Sequence, residues 1–177
     1  MKKGSRTYVV DQPSQLRELA SPVKQVILDA LASAAGPCSI RELAKDVNRA
    51  ADSLYYHLRS LVKSGLVIPA GTRTENGKPV ALYTGAGRRF KIKYDFRIPR
   101  FKHLIRSIFR ATIRLANRNF ERGLDLDNVR FDPRHRNLYL MRMEAWLSRQ
   151  HLAEVNQKIN EINKILVDNC GPSEGER

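Results

Sequence analysis

Residues 52–67 read DSLYYHLRSLVKSGLV, and the way this stretch divides between inside and outside decides the fold. At about 100° per residue around an α-helix, Leu54, Leu58, Leu61 and Val62 fall on one side. Asp52, Ser53, Tyr56, Arg59, Ser60 and Lys63 gather opposite, with Tyr55 and His57 on the flanks. The leucine side is expected to be core. The other side carries hydroxyls that donate or accept, an arginine that clamps a guanine or a phosphate, and a lysine that adds charge. An ordinary amphipathic surface helix has the same periodicity, so the neighbours must decide between the two.

Working outward, Gly65 predicts a left-handed C-cap for this helix. Before it, CSIRELAKDVNRA (38–50) predicts a two-turn helix with Ser39 and Glu42 as a capping box and Ile40, Leu43, Ala44 and Val47 as the apolar stripe. Asn48 to Ala51 is the turn between the two helices, with Asp52 or Asn48 expected to cap the second. Earlier still, Ser21-Pro22 opens a helix whose buried face is Val23, Val26, Ile27, Ala30 and Leu31, and Gly36-Pro37 closes it. Asp11 or Ser14 caps a shorter helix holding Leu16 and Leu19. After Gly65, the β-prone segments 66–68 and 80–83 flank Asn76-Gly77, a strong hairpin signal. Helix, short helix, turn, helix and hairpin in that order predict a winged helix-turn-helix.

The stretches QLRELASPVKQVILDAL, SIRELAKDVN, LYYHLRSLVKSGLV and a wing ending ALYTG together resemble the ArsR-type winged-helix regulators over about residues 14–85. The resemblance implies a homodimer that binds double-stranded DNA. Ala50, preceded by Arg49, stands where that family usually opens its recognition helix with Ser or Thr. The cysteine pair of the family's metal sensors is absent, and His151 and Glu154 lack matching upstream partners. No metal and no cofactor is therefore expected.

The second half begins with GRRFKIKYDFRIPR (87–100), read as an extended basic linker. Pro99 opens a long helix that Gly123 is expected to end. Phe101, Leu104, Ile105, Ile108, Phe109, Thr112 and Ala116 share its apolar side. Arg106, Arg110, Arg114, Arg118 and Arg122 recur every fourth residue on the other. Three readings of that stripe stand open: a plain solvated face or one internally paired with acids such as Asp125, Asp127 and Glu144, a DNA-backbone contact, or a seat for an anionic effector. Residues 137–147 alternate and predict a strand, with a helix as the alternative. Ser148 caps a last helix in which Leu152, Val155, Ile159, Ile162 and Leu166 step by three and four, a short heptad seam. Packing against its own domain is the competing use of that seam. Ile105, Ile108 and Phe109 join it as expected dimer-interface residues.

Composition agrees with a polyanionic partner. Lys plus Arg is 32 against 18 for Asp plus Glu, a net charge of +14, which a nucleic acid balances more often than a membrane surface does. Cys38 and Cys170 form no disulfide framework and no zinc motif, which fits a reducing compartment. No signal peptide and no membrane-spanning run is apparent, so a soluble, cytoplasmic protein is expected. No P-loop, nucleotide-binding glycine motif, HExxH or nucleophile elbow occurs, and no catalytic residue is expected; His57 has no carboxylate or nucleophile at a telling spacing.

The expectation is a mainly α protein with a small β-wing. It comprises an N-terminal segment (1–11), a winged helix-turn-helix domain (12–86), the linker (87–98), a C-terminal helical, partly α+β dimerisation region (99–169) and a tail (170–177). Ser53, Tyr55, Tyr56, Arg59, Ser60, Lys63 and Arg49 are the candidate DNA-binding residues of the helix and turn, with Arg73 and Lys78 at the wing. A small-molecule effector is a further possible partner. A protein-interaction module and an RNA-associated basic protein are the competing functions.

Overall fold

The computed structural model describes residues 7–93 and 97–168. The tail and residues 94–96 of the expected linker lie outside the described residues. The chain divides into two units, residues 1–116 and 117–177, each described by itself.

The first unit holds the helix-turn-helix. Helix α1 (Pro13–Leu19) starts with Gln12, not Asp11 or Ser14, as its N-cap, and Pro13 occupies the first position, where a missing N–H costs nothing. Helix α2 (Pro22–Ser33) starts at Ser21-Pro22 as expected, and ends three residues before Gly36. Helix α3 (Ile40–Asp46) has the full capping box: Ser39 Oγ accepts from the Glu42 amide at 3.3 Å, and Glu42 accepts from the Ser39 amide at 2.7 Å. Helix α4 (Ala51–Lys63) is the stretch with which the sequence reading began.

Two paired hydrogen bonds shape the turn between α3 and α4. Asn48 lies at φ 51°, its amide donates to Lys45 O at 3.2 Å, and the Arg49 amide donates to Ala44 O at 2.9 Å. This is a Schellman C-cap, with asparagine in the left-handed position usually held by glycine. Asn48 thus closes α3 and does not cap α4. Neither does Asp52: the N-cap of α4 is Ala50, which has no side-chain oxygen to offer. The end of α4 repeats the motif with Gly65 at φ 75°, where Gly65 N donates to Val62 O at 3.0 Å and Leu66 N to Leu61 O at 3.1 Å.

The wing is longer than the β-prone runs predict. Strand β3 (Val67–Glu75) pairs antiparallel with β4 (Lys78–Gly85) across Asn76-Gly77, whose φ angles of 48° and 76° are those of a type I′ turn. The register shifts between Pro69 and Thr72, where Gly71 takes φ 89°. A two-residue strand β2 (Cys38–Ser39) pairs with β4, giving the order β2-β4-β3. Leu16, Ile27, Leu43, Leu54, Leu61 and Leu66 are fully buried at the centre.

One pairing has no counterpart in the sequence reading. Strand β1 (Thr7–Val10) lies parallel to β5 (Arg89–Ile92), with Tyr8 opposite Phe90 and their rings edge to face at 5.9 Å. Residues 7–10 of the expected N-terminal segment and 89–92 of the expected linker are therefore a two-stranded sheet, while residues 1–6 lie outside the described residues. Val10, the last residue of β1, is fully buried.

Helix α5 (Pro99–Leu124) passes Gly123 by one residue. Phe101, Ile108, Ala111 and Leu115 are buried, and Leu104 and Ile105 pack partly buried against the core. Of the expected dimer-interface residues, Ile108 is thus buried in the core of its own unit and Ile105 is partly covered by it. Phe109 is turned out, 64% exposed, because the buried arc is centred nearer Ile108 and Leu115.

In the second unit, residues 136–148 form neither the expected strand nor a helix. A strand needs a partner for its backbone, and none is paired to this stretch. Helix α6 (Arg149–Asp168) begins as expected at Ser148, whose Oγ accepts from the His151 amide at 3.1 Å. Among the described residues of 117–168 none is buried. No helix among the described residues is long and apolar enough to cross a membrane.

Candidate nucleic-acid interface

The inner leucines Leu54, Leu58 and Leu61 fix the rotation of α4, and so decide which side chains face out. Tyr56 is 74% exposed and Tyr55 59%, high values for large aromatic side chains. Asp52, Ser53, Arg59 and Lys63 are exposed on the same helix, and Arg49 is exposed on the preceding turn. Ser53 also donates from Oγ to Ala50 O at 2.7 Å, so this hydroxyl tightens the uncapped first turn while its lone pairs stay outward.

Ser60 is different. Its Oγ donates to Glu18 at 2.7 Å and accepts from Lys24 at 3.1 Å, and Lys24 is itself ion-paired with Glu18. The triad ties α4 to α1 and α2 one turn beyond Tyr56. Ser60 is therefore a positioning residue, and its place on the candidate DNA-binding surface is corrected. Next to the triad, Gln15 donates to Tyr8 Oη at 2.9 Å and to Ser64 O at 3.2 Å, linking β1 and α1 to the end of α4.

His57 sits on the flank, its ring 5.9 Å from that of Tyr56. Its Nδ1 is buried without a hydrogen-bond partner. Desolvation, then the nearby positive charges of Lys24 and Arg49, hold it below the usual histidine range, against a smaller opposing effect of Glu18. His57 is thus held neutral as a packed support for Tyr56.

On the wing, Arg73 is engaged. Its guanidinium bonds Glu42 at 2.8 Å and ion-pairs with Glu75. Those bonds, Glu75 first and Glu42 second, raise its pKa further. On the other partner, the Ser39 amide, followed by the Arg73 guanidinium and the Ser39 hydroxyl, holds the Glu42 carboxyl down at about 2. Arg73 therefore fixes the wing to α3, and a nucleic acid would have to compete with two carboxylates for it. Lys78, at the end of the hairpin turn, is exposed. Arg41 and Lys45, exposed on α3, add cations that the sequence reading did not single out; their position on the polar side of a short helix was the available signal.

A helix with a rigid inner face and a polar, aromatic outer face, preceded by a Schellman turn and flanked by a wing, defines the class: a winged helix-turn-helix domain. Residues 19–69 match a family model described as a helix-turn-helix domain, which covers α2, α3, α4 and the first residues of β3. No curated protein matches the chain.

Proposed function

We propose that this protein is a sequence-specific, double-stranded-DNA-binding transcriptional regulator of ArsR-like type that acts in the cytoplasm as a homodimer and has no enzymatic activity. The observation that carries the reading is the outer face of α4, where Tyr55, Tyr56, Arg59 and Lys63 are all exposed on a helix whose rotation is locked by buried leucines. A major groove accepts one such helix, with base edges at its floor and phosphates at its rims. Ser53 and Arg49 lie where the first turn of the helix meets the groove, and Lys78 reaches the adjacent backbone.

Dimerisation is supported by α6. Leu152, Val155, Ile159, Ile162 and Leu166 are 42–64% exposed at heptad spacing, on a helix that buries none of them in its own unit. A second copy offers the same seam and covers both at once. Two recognition helices then address half-sites about one DNA turn apart.

The test is site selection from random duplexes with purified protein, followed by binding measurements on the selected site. Tyr56→Ala and Arg59→Ala are each expected to cost about 1–3 kcal/mol of specific binding, with little loss on random duplex. Wild-type affinity in the double variant would remove α4 from the interface. A protein-interaction module is the second reading, favoured by the bare apolar side chains Leu140, Met143 and Trp146. No duplex binding at low salt decides for it.

A further inference from the structure

Helix α5 carries a cationic face that the recognition helix does not explain. Arg106, Arg110, Arg114, Arg118 and Arg122 recur every fourth residue, and all five are exposed. No ion pair among the described residues engages any of them. Of the acids that could balance them, Glu121 accepts from Asn117 at 2.9 Å and Glu144 is paired with Arg142. Among the described residues the stripe is therefore a solvated face without internal ion pairs.

Like charges four apart on a helix repel by a few tenths of a kcal/mol per pair, so such a row costs stability unless something outside the chain offsets it. Four residues advance about 6 Å along a helix, so Arg106, Arg110 and Arg114, the members within the first unit, span about 12 Å. Over that length each DNA strand presents about four phosphates, one per 3.4 Å of axis. Successive arginines turn by about 40° around the helix, so these three share one face. Every member is arginine, whose planar fork grips phosphate oxygens in pairs. Phe101, Ile108, Ala111 and Leu115 are buried on α5, and Arg106, Arg110 and Arg114, in the same unit, turn away from them to solvent. Phe109 and Ile113 are exposed beside these arginines, but two apolar side chains against three unpaired charges make a polyanion the complementary occupant.

We propose that the arginine row of α5 is a second, sequence-independent contact surface for the phosphate backbone of duplex DNA. The inference rests on the proposed DNA-binding function and adds a site to it. The surface contributes affinity and residence on DNA, and leaves the choice of sequence to α4.

The experiment compares wild type, Arg106→Gln/Arg110→Gln/Arg114→Gln and the corresponding triple lysine variant on a long duplex carrying the selected site, over a series of salt concentrations. Glutamine has nearly the helix propensity of arginine, so the helix persists. Loss of three phosphate contacts lowers the slope of log affinity against log salt by about 2.7, so raising salt from about 50 to about 200 mM weakens wild type about 40-fold more than the glutamine variant. The ratio of site to random binding stays the same, and the lysine variant restores the slope. A wild-type slope in the glutamine variant overturns the proposal alone, as does a loss confined to vesicles of anionic lipid. Tyr56→Ala/Arg59→Ala does the reverse, keeping the slope and losing the ratio. If wild type binds no duplex at low salt, the proposed function falls and this surface with it.

Discussion

Glu42 shows how much one carboxylate does in this domain. One oxygen closes the capping box of α3 and the other receives Arg73 from the wing. The capping half was legible, since Ser39 and Glu42 stand three apart in sequence. The Arg73 half was not, because nothing local links residue 42 to residue 73; the same holds for Ser60, whose partners Glu18 and Lys24 come from two other helices. The pH dependence follows from the sign of the shift. Glu42 drops from its ordinary 4.5 to about 2 on folding, so its contribution to stability is fully present above about pH 4.5 and is lost as pH falls towards 2. Glu42→Gln should therefore unfold more easily than wild type at neutral pH, with the gap narrowing between pH 4.5 and 2 in urea titrations. Because the side chain is 45% exposed, solvent screening keeps the gap well below what the shift alone implies. A gap that is constant with pH would mean that the carboxylate contributes only its shape.

At the scale of elements, the two Schellman ends shape the turns on either side of α4. Asn48 turns the chain out of α3, and Gly65 turns it out of α4 into the wing. Gly65→Ala keeps every side-chain contact but forces a Cβ into a left-handed backbone; space is not the obstacle, since the added atom meets nothing closer than Tyr8 Oη at 3.9 Å. The expected loss is about 1–2 kcal/mol of unfolding free energy, from backbone strain alone. Calorimetry that finds the variant as stable as wild type would show that the end of α4 relaxes into another geometry. The contrast within α5 concerns the same scale. Period alone put Ile105, Ile108 and Phe109 on one apolar side. Packing against the core selected Ile108 for burial and left Phe109 in solvent, because the helix presents only an arc of about 120° inward.

At the scale of the whole molecule, the two units differ in kind. Residues 1–116 contain the buried core, closed by the parallel β1–β5 pair, whose strands lie some eighty residues apart in sequence. The described residues of 117–168 have none. On the proposed function, such a unit gains order by association, with the exposed seam of α6 as its interface. Ile159→Asp/Ile162→Asp should convert a dimer to a monomer in sedimentation equilibrium. Each isoleucine buried at an interface is worth about 1.5–3 kcal/mol, and four are lost per dimer, so the dissociation constant should rise by at least roughly a thousandfold. A wild-type protein that sediments as a monomer at micromolar concentration would remove the homodimer from the proposed function. The double variant dimerising as tightly as wild type would move the interface off α6.

The periodicity of residues 52–64, the Ser39–Glu42 spacing and the Asn76-Gly77 turn determined the helix-turn-helix and its wing, because those signals act over one or two turns of chain and need no distant partner. Tertiary structure decided which polar residues were free to meet a ligand. Ser60 was engaged by Glu18 and Lys24 and Arg73 by Glu42 and Glu75, Tyr55, Tyr56, Arg59 and Lys63 stayed outward, and residues 136–148 joined no sheet. Local spacing sets the backbone's hydrogen bonds; the availability of a side chain depends on what the rest of the fold brings within 3 Å of it.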